Sequence, residues 1–126
     1  MITEYDGYWI WFLKEEKPNY EIGGKYLFFS EDKNKLIEIA KNEIANHSFH
    51  QAKVNEIKED NQTEHVLCLY YEDNSRNDEL AKRNEQEYKV KYRSWKSDED
   101  TLNGVYSEAF LNKLSQDRRD FFTRKN

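Results

Sequence analysis

Lysine and arginine side chains recur in segments that predict β-strands, and they are candidates to bind an anion. The set is Lys25, Lys53, Lys91, Arg93 and Lys96. Neighbouring strands lie about 4.8 Å apart, so cations on one face of a sheet can converge on a single phosphate group. Arg93 can hold such a group through two parallel hydrogen bonds. Trp9 or Trp11 can stack on a planar part of the same ligand.

The same cations also fit a solvated sheet face, on which lysines keep an edge strand from aggregating. The formal net charge of −5 disfavours general nucleic-acid binding, so an anionic ligand needs a local basic pocket. We therefore expect a phosphorylated small molecule or a phosphopeptide as the partner. A protein partner stays open.

Acid–base chemistry near neutral pH requires a histidine or a lysine with a lowered pKa. Lys53 is the candidate base, because it lies between apolar neighbours and close to other predicted cations. His47 and His50 fall at a predicted helix–strand junction, and this placement does not favour a metal site. The only cysteine, Cys68, lies in an apolar segment typical of a buried thiol. We expect no metal and no cofactor.

Length and composition predict one domain over residues 1–126, with a core over about 8–122. The single cysteine excludes an intrachain disulfide. The acidic start lacks the basic region of a signal peptide, and no apolar run approaches the roughly 18 residues of a membrane span. These features predict a cytoplasmic protein that does not enter membranes.

Apolar and aromatic runs predict strands over 8–13, 25–29, 49–55, 65–71 and 88–93. Helical spacing predicts helices from Ser30 or Asp32 to about 46, over 77–84, and from Ser107 onwards. The order is β-β-α-β-β-α-β-α. It predicts an α+β fold, in which a single curved antiparallel sheet carries helices on its convex face.

Strand alternation predicts which side chains share a face of this sheet. One side of the third strand would carry Phe49, Gln51, Lys53 and Asn55, and the other would carry His50, Ala52 and Val54. In the fifth strand, Lys89, Lys91 and Arg93 would point away from Tyr88, Val90 and Tyr92. The cations should then lie opposite the helices.

Five short segments within residues 8–106 resemble, in order, a family that includes the basophilic-leukaemia-expressed protein and its bacterial relatives, often described as containing a phosphothreonine lyase domain. The segments are Tyr8-Trp9-Ile10, Gly24-Lys25-Tyr26, Ala52-Lys53-Val54, Leu67–Asp73 and Tyr92–Tyr106. Arg83 is similar to a helical arginine of the family. Residues 93–96 resemble a small insertion, so either Arg93 or Lys96 takes the position of the family's cation.

The resemblance implies a fold like that of the cap-binding translation initiation factor, with a concave face that holds a phosphate-bearing, nucleotide-like ligand. Thr101 and Tyr106 would shape the rim of that pocket. An alternative is a phosphothreonine lyase-like enzyme with Lys53 as base and His50 as acid. A protein-interaction or inhibitor module of phage or mobile-element origin is the third interpretation.

Overall fold

The computed structural model describes residues 1–98, in which aromatic and aliphatic segments form six strands and two amphipathic segments form α-helices. The strands are β1 (Ile2–Tyr5), β2 (Trp9–Leu13), β3 (Gly24–Ser30), β4 (Gln51–Asn55), β5 (His65–Tyr71) and β6 (Lys91–Ser97). The helices are α1 (Lys33–Asn46) and α2 (Asn77–Arg83), and a π-helical turn, Asn84–Tyr88, follows α2.

The six strands form one antiparallel sheet in the order β1-β2-β4-β5-β3-β6. Apolar side chains from α1, α2 and the π-helical turn pack against one face of it. The predicted α+β class, a single antiparallel sheet with helices against one face, is therefore confirmed. The predicted helix from Ser107 lies outside the described residues.

Helix α1 begins after Asp32, whose side chain accepts a hydrogen bond from the backbone N–H of Lys35. Leu36, Ile39 and Ile44 recur at helical spacing and are buried against the sheet. This packing fixes the helix-covered face, so the polar and aromatic residues of alternate strand positions point to the other face.

The opposite face, on which no helix of residues 1–98 packs and which we call the helix-free face in that sense, carries a second apolar cluster. Its buried members are Tyr8, Trp9, Trp11, Leu27, Cys68 and Tyr70. A strand that is buried on both faces has a continuous apolar run in its sequence rather than an alternation of apolar and polar residues. This explains why β2 and β5 are aromatic and aliphatic at almost every position.

The structure moves the predicted fifth strand. It begins at Lys91 rather than at residue 88 and continues to Ser97, because residues up to Tyr88 complete the π-helical turn and Lys89 then reverses the chain with φ at 53°. The predicted side-chain directions hold, since Tyr88 and Tyr92 pack on the helix side. Strand β1 was not predicted.

The predicted placement of Phe49 on the same side as Lys53 is wrong. The Phe49 N–H donates to the carbonyl oxygen of Glu43, so the chain at this residue is still bonded to the last turn of α1. Ser48 has a φ of 65°, and the extended strand starts only at Gln51. Phe49 therefore packs into the helix-side core.

Candidate anion-binding site

Cross-strand register places the candidate residues in rows on the helix-free face, because directly opposed residues of antiparallel strands point to the same side. Lys53 of β4 lies between Trp11 of β2 and Cys68 of β5. Lys25 of β3 lies between Tyr70 of β5 and Lys96 of β6. We call Lys25, Lys53 and Lys96 the lysine cluster.

The side chains of this cluster converge on aromatic rings. The Nζ of Lys53 lies 3.8 Å from the ring centroid of Trp9 and 5.2 Å from that of Trp11. Lys53 and Lys25 approach the same ring, that of Tyr70, with Nζ at 5.9 Å and 6.0 Å from its centroid. Two cationic groups from non-adjacent strands thus meet over one aromatic side chain.

The three lysines of the cluster differ in how deeply they are buried. Lys53 is 0% exposed and Lys25 is 2% exposed, whereas Lys96 is half-buried. Lysine is almost never fully buried in proteins unless it is paired. Because Lys96 is the most exposed of the three, the cluster is closest to solvent at Lys96 and deepest at Lys53.

Burial controls the charge of these groups. Desolvation holds the pKa of Lys53 well below its usual value, and the neighbouring Lys25 lowers it further. Desolvation also lowers the pKa of Lys25, while Asp98 and Cys68 act in the opposite direction. Burial raises the pKa of the Cys68 thiol and that of the Asp98 carboxyl. Lys25 and Lys53 are thus amines that take up a proton more readily when negative charge arrives.

Asp6 positions the tryptophans of the site. Its Oδ1 accepts hydrogen bonds from the backbone N–H groups of Tyr8 and Trp9, at 3.0 and 2.7 Å. Its Oδ2 accepts from the indole Nε1 of Trp11 at 2.7 Å. Gly7, with a φ of 96°, allows the turn between β1 and β2. Sequence reasoning missed Asp6, although an Asp-Gly dipeptide before an apolar run signals a hairpin.

Gly24 allows the close approach of β3 and β6 that sets Lys25 opposite Lys96. A Cβ at residue 24 would lie 2.4 Å from the carbonyl oxygen of Lys96 and 2.6 Å from the Trp95 ring. A larger residue therefore forces β6 away from β3. The sequence shows the Gly-Gly pair but not the neighbour that requires it.

Strand β6 contains a bulge that turns Lys96 toward the cluster. Tyr26 pairs with Trp95, but the next residue, Leu27, pairs with Arg93, so Ser94 is the extra residue. Arg93 and Lys96 consequently share a face although they are three positions apart. Trp95 meanwhile packs on Tyr26 from the helix side.

Lys91 and Arg93 share the face of the cluster but form a separate group. Both lie over the Phe29 ring, with Lys91 Nζ at 5.7 Å and Arg93 Cζ at 6.0 Å from its centroid. Phe29 is four residues from Lys25 along β3, which corresponds to about 13 Å. Lys91 is exposed and lies 3.7 Å from Glu64. The five predicted cations thus divide into a buried set and an exposed pair.

The predicted acid–base pair is not brought together. His50 precedes β4 and contacts Tyr20, with Nδ1 3.4 Å from the phenolic oxygen. Tyr20 in turn packs against Tyr71, which contacts the helix-side core. Lys53 points to the opposite face. The predicted rim residues Thr101 and Tyr106 lie outside the described residues.

No protein family, curated protein or solved structure compared with the chain matches it. The resemblance noted from short segments therefore stays a prediction. Within residues 1–98, no helix is long and apolar enough to cross a membrane. The same residues contain no group of three or more histidine, cysteine, aspartate or glutamate side chains placed to hold a metal ion.

Proposed function

We propose that this protein binds a phosphate-bearing, nucleotide-like ligand through Lys25, Lys53 and Lys96 on the helix-free face of its sheet. The observation that supports this proposal is the convergence of Lys25 and Lys53 on the Tyr70 ring. Lys96 lies directly across from Lys25 and adds a third cation at the less buried side. When all three are protonated, these lysines present up to nine N–H donors, which suits the oxygens of a phosphate.

Electrostatics favours an anion at this place despite the acidic chain. Charge interactions are stronger in a site that excludes water than they are at the surface. Besides burial, Lys25 lowers the pKa of Lys53, and Lys96 lowers the pKa of Lys25, so a bound dianion relieves the repulsion among the charged forms of these lysines. Binding should therefore be accompanied by proton uptake.

The aromatic residues act as walls of the proposed site. Trp11 stacks on Tyr70, with ring centroids 6.1 Å apart and planes 17° apart. Trp9 offers its ring face to Lys53. Rings held in this way keep the ammonium groups in place, and a planar group of the ligand would contact their edges.

Calorimetric titration with adenosine 5′-monophosphate, adenosine and a phosphothreonine peptide tests the proposal. We expect binding of a phosphorylated compound and none of adenosine. Lys96→Met should weaken binding about tenfold, because it removes one charge-assisted contact worth about 1.5 kcal/mol. Lys82→Met, on the exposed surface of α2, is the matched control and should leave binding unchanged. Equal affinities for adenosine and its monophosphate would contradict the proposal.

A second candidate function is elimination of phosphate from phosphothreonine with Lys53 as the base. The burial of Lys53 favours this function, because desolvation lowers the pKa of the amine and leaves it able to accept a proton. His50 lies on the other face, so the acid would be another group. Phosphate release from a phosphothreonine peptide should be lost in Lys53→Met and retained in His50→Ala. A wild-type chain that releases no phosphate would exclude this function.

A further inference from the structure

A row of directly opposed side chains crosses the helix-free face from β1 to β6. Its four inner members, each at most 6% exposed, are Trp11, Lys53, Cys68 and Leu27. Its two outer members, Glu4 on β1 and Arg93 on β6, are exposed. Water that reached this face would also reach the middle of the row, so another layer covers its centre.

The helices of residues 1–98 do not supply this layer, because both α-helices and the π-helical turn pack on the opposite face. Among the same residues, the partly buried apolar side chains that join the cluster on the helix-free face are Ile22, Phe29 and Val66. Phe29 and Val66 belong to the sheet itself. The row is buried within one chain, so the chain itself supplies the layer.

The described chain ends beside the row. The Asp98 N–H donates to the carbonyl oxygen of Gly23 at 2.8 Å, which continues the pairing of β6 with β3 by one residue. Burial raises the pKa of the Asp98 carboxyl, and the charges of Lys25 and Lys53 lower it, so this carboxyl faces the lysine cluster. Residues 99–106 can span up to about 26 Å when extended, which brings the next segment within reach of any part of the face.

That next segment carries an apolar stripe. The side chains that fall on one side of the helix predicted from Ser107 are Phe110, Leu111, Leu114, Phe121 and Phe122. Asn112 and Gln116 fall on the other side. A helix over residues 107–122 is about 24 Å long, and the five spacings between six strands also amount to about 24 Å. The helix is therefore long enough to cross the sheet.

We propose that residues 107–122 form an amphipathic helix that packs on the helix-free face, over Trp11, Lys53, Cys68 and Leu27. Removal of its stripe and of the aromatic face from water stabilises the contact. The inference goes beyond the proposed function and does not depend on it. It adds regulation, because the helix and a ligand of the lysine cluster compete for one face.

The thiol of Cys68, the only cysteine of the chain, lies within the row and serves as a probe of the cover. Its reaction with N-ethylmaleimide is followed by mass spectrometry at one pH in the full-length wild type, Leu114→Asp and Gln116→Asp. We expect reaction at least about tenfold faster in Leu114→Asp, because a carboxylate in the stripe opposes burial of that side. Gln116→Asp adds the same charge on the other side and should react at the wild-type rate.

Hydrogen exchange of the α1 amides shows whether the rest of the fold is intact, and these amides should stay protected in all three chains. Equal reaction rates in the three chains overturn the inference. Unfolding of Leu114→Asp would transfer the decision to variants that keep most of the stripe.

Disulfide formation with Cys68 in such variants is the second measurement. Under mild oxidation, at least one of Phe110→Cys, Leu111→Cys and Leu114→Cys should form the disulfide, because a covering helix brings a Cβ of its stripe close to that of Cys68. Asn112→Cys and Gln116→Cys should form none. No disulfide from the stripe, or equal yields from both sides, overturns the inference.

Nucleotide binding separates the inference from the proposed function. If both hold, Leu114→Asp should bind adenosine 5′-monophosphate more tightly by the same factor as its thiol reacts faster, because both events need the uncovered face. Faster thiol reaction without nucleotide binding supports the inference and contradicts the proposed function. Nucleotide binding with equal thiol reaction rates does the reverse.

Discussion

Replacing Lys53 by methionine should stabilise the protein, and most strongly at low pH. Methionine has a similar length and shape, so it fills the space among Trp9, Trp11 and Tyr70 without a charge. The loss of one heavy atom costs about 0.8 kcal/mol, the contribution of one buried methylene group. The removal of a fully buried amine acts in the opposite direction, because folding forces this amine toward its neutral form.

The magnitude follows from proton linkage. The pKa of Lys53 is lower in the folded state than its ordinary value of 10.5. Between these two values the unfolded chain binds one more proton than the folded chain does. Stability due to this group is therefore complete above the unfolded pKa and is lost as the pH falls toward the folded pKa. The loss amounts to about 1.4 kcal/mol per pH unit in that window.

Urea unfolding followed by tryptophan fluorescence, in steps of pH from neutral to 10, measures the difference between Lys53→Met and the wild type. The excess unfolding free energy of the variant over the wild type should shrink by about 1.4 kcal/mol per pH unit as the pH rises between the folded and the unfolded pKa of Lys53. Buried tyrosines such as Tyr8 and Tyr26, whose pKa is raised to about 12, affect both proteins equally and cancel. Lys82→Met is the control. A difference that does not change with pH would refute the argument that Lys53 titrates abnormally.

Three further substitutions test the supports of the fold. Arg83→Met leaves the fully buried carboxylate of Glu43 without its bidentate partner and should cost about 3–5 kcal/mol in urea unfolding, whereas the double change to two methionines should cost less. Gly24→Ala should cost about 1–3 kcal/mol and increase amide exchange in β6, and normal exchange there would contradict the predicted clash. Asn55→Ala removes the side chain that accepts from the Val66 N–H at 2.7 Å and should cost about 1–3 kcal/mol, with an unchanged melting temperature as the contrary result.

The fold could be predicted from the sequence where the hydrophobic periodicity agrees with the capping and turn residues that bound an element. The helical spacing of Leu36, Ala40 and Ile44 and the cap at Asp32 define α1, and the apolar run of β5 defines a central strand. Strand β1 was missed because its four residues are exposed on both faces, so no alternation marks them. The boundary of β6 was missed because a π-helical turn has no sequence signal of its own.

Part of the candidate site was predictable because alternation along a strand settles the face of each cation. Lys25, Lys53, Lys91 and Arg93 share the helix-free face as expected. The division into a buried cluster and an exposed pair depends on strand order, which brings β4 and β3 to either side of β5. Phe49 could not be placed from the sequence, because the irregular segment that follows α1, with Ser48 at a positive φ, interrupts the alternation.

The bulge at Ser94 lets β6 carry one more residue than its partner strand without moving any other side chain to the opposite face. If Ser94 were deleted, Trp95 would follow Arg93 directly and still pair with Tyr26, and Lys96 would still pair with Lys25. If Ser94 were instead drawn into the regular ladder, Trp95 and Lys96 would exchange faces. A local irregularity in an outer strand is thus enough to decide on which side of a sheet a cation lies.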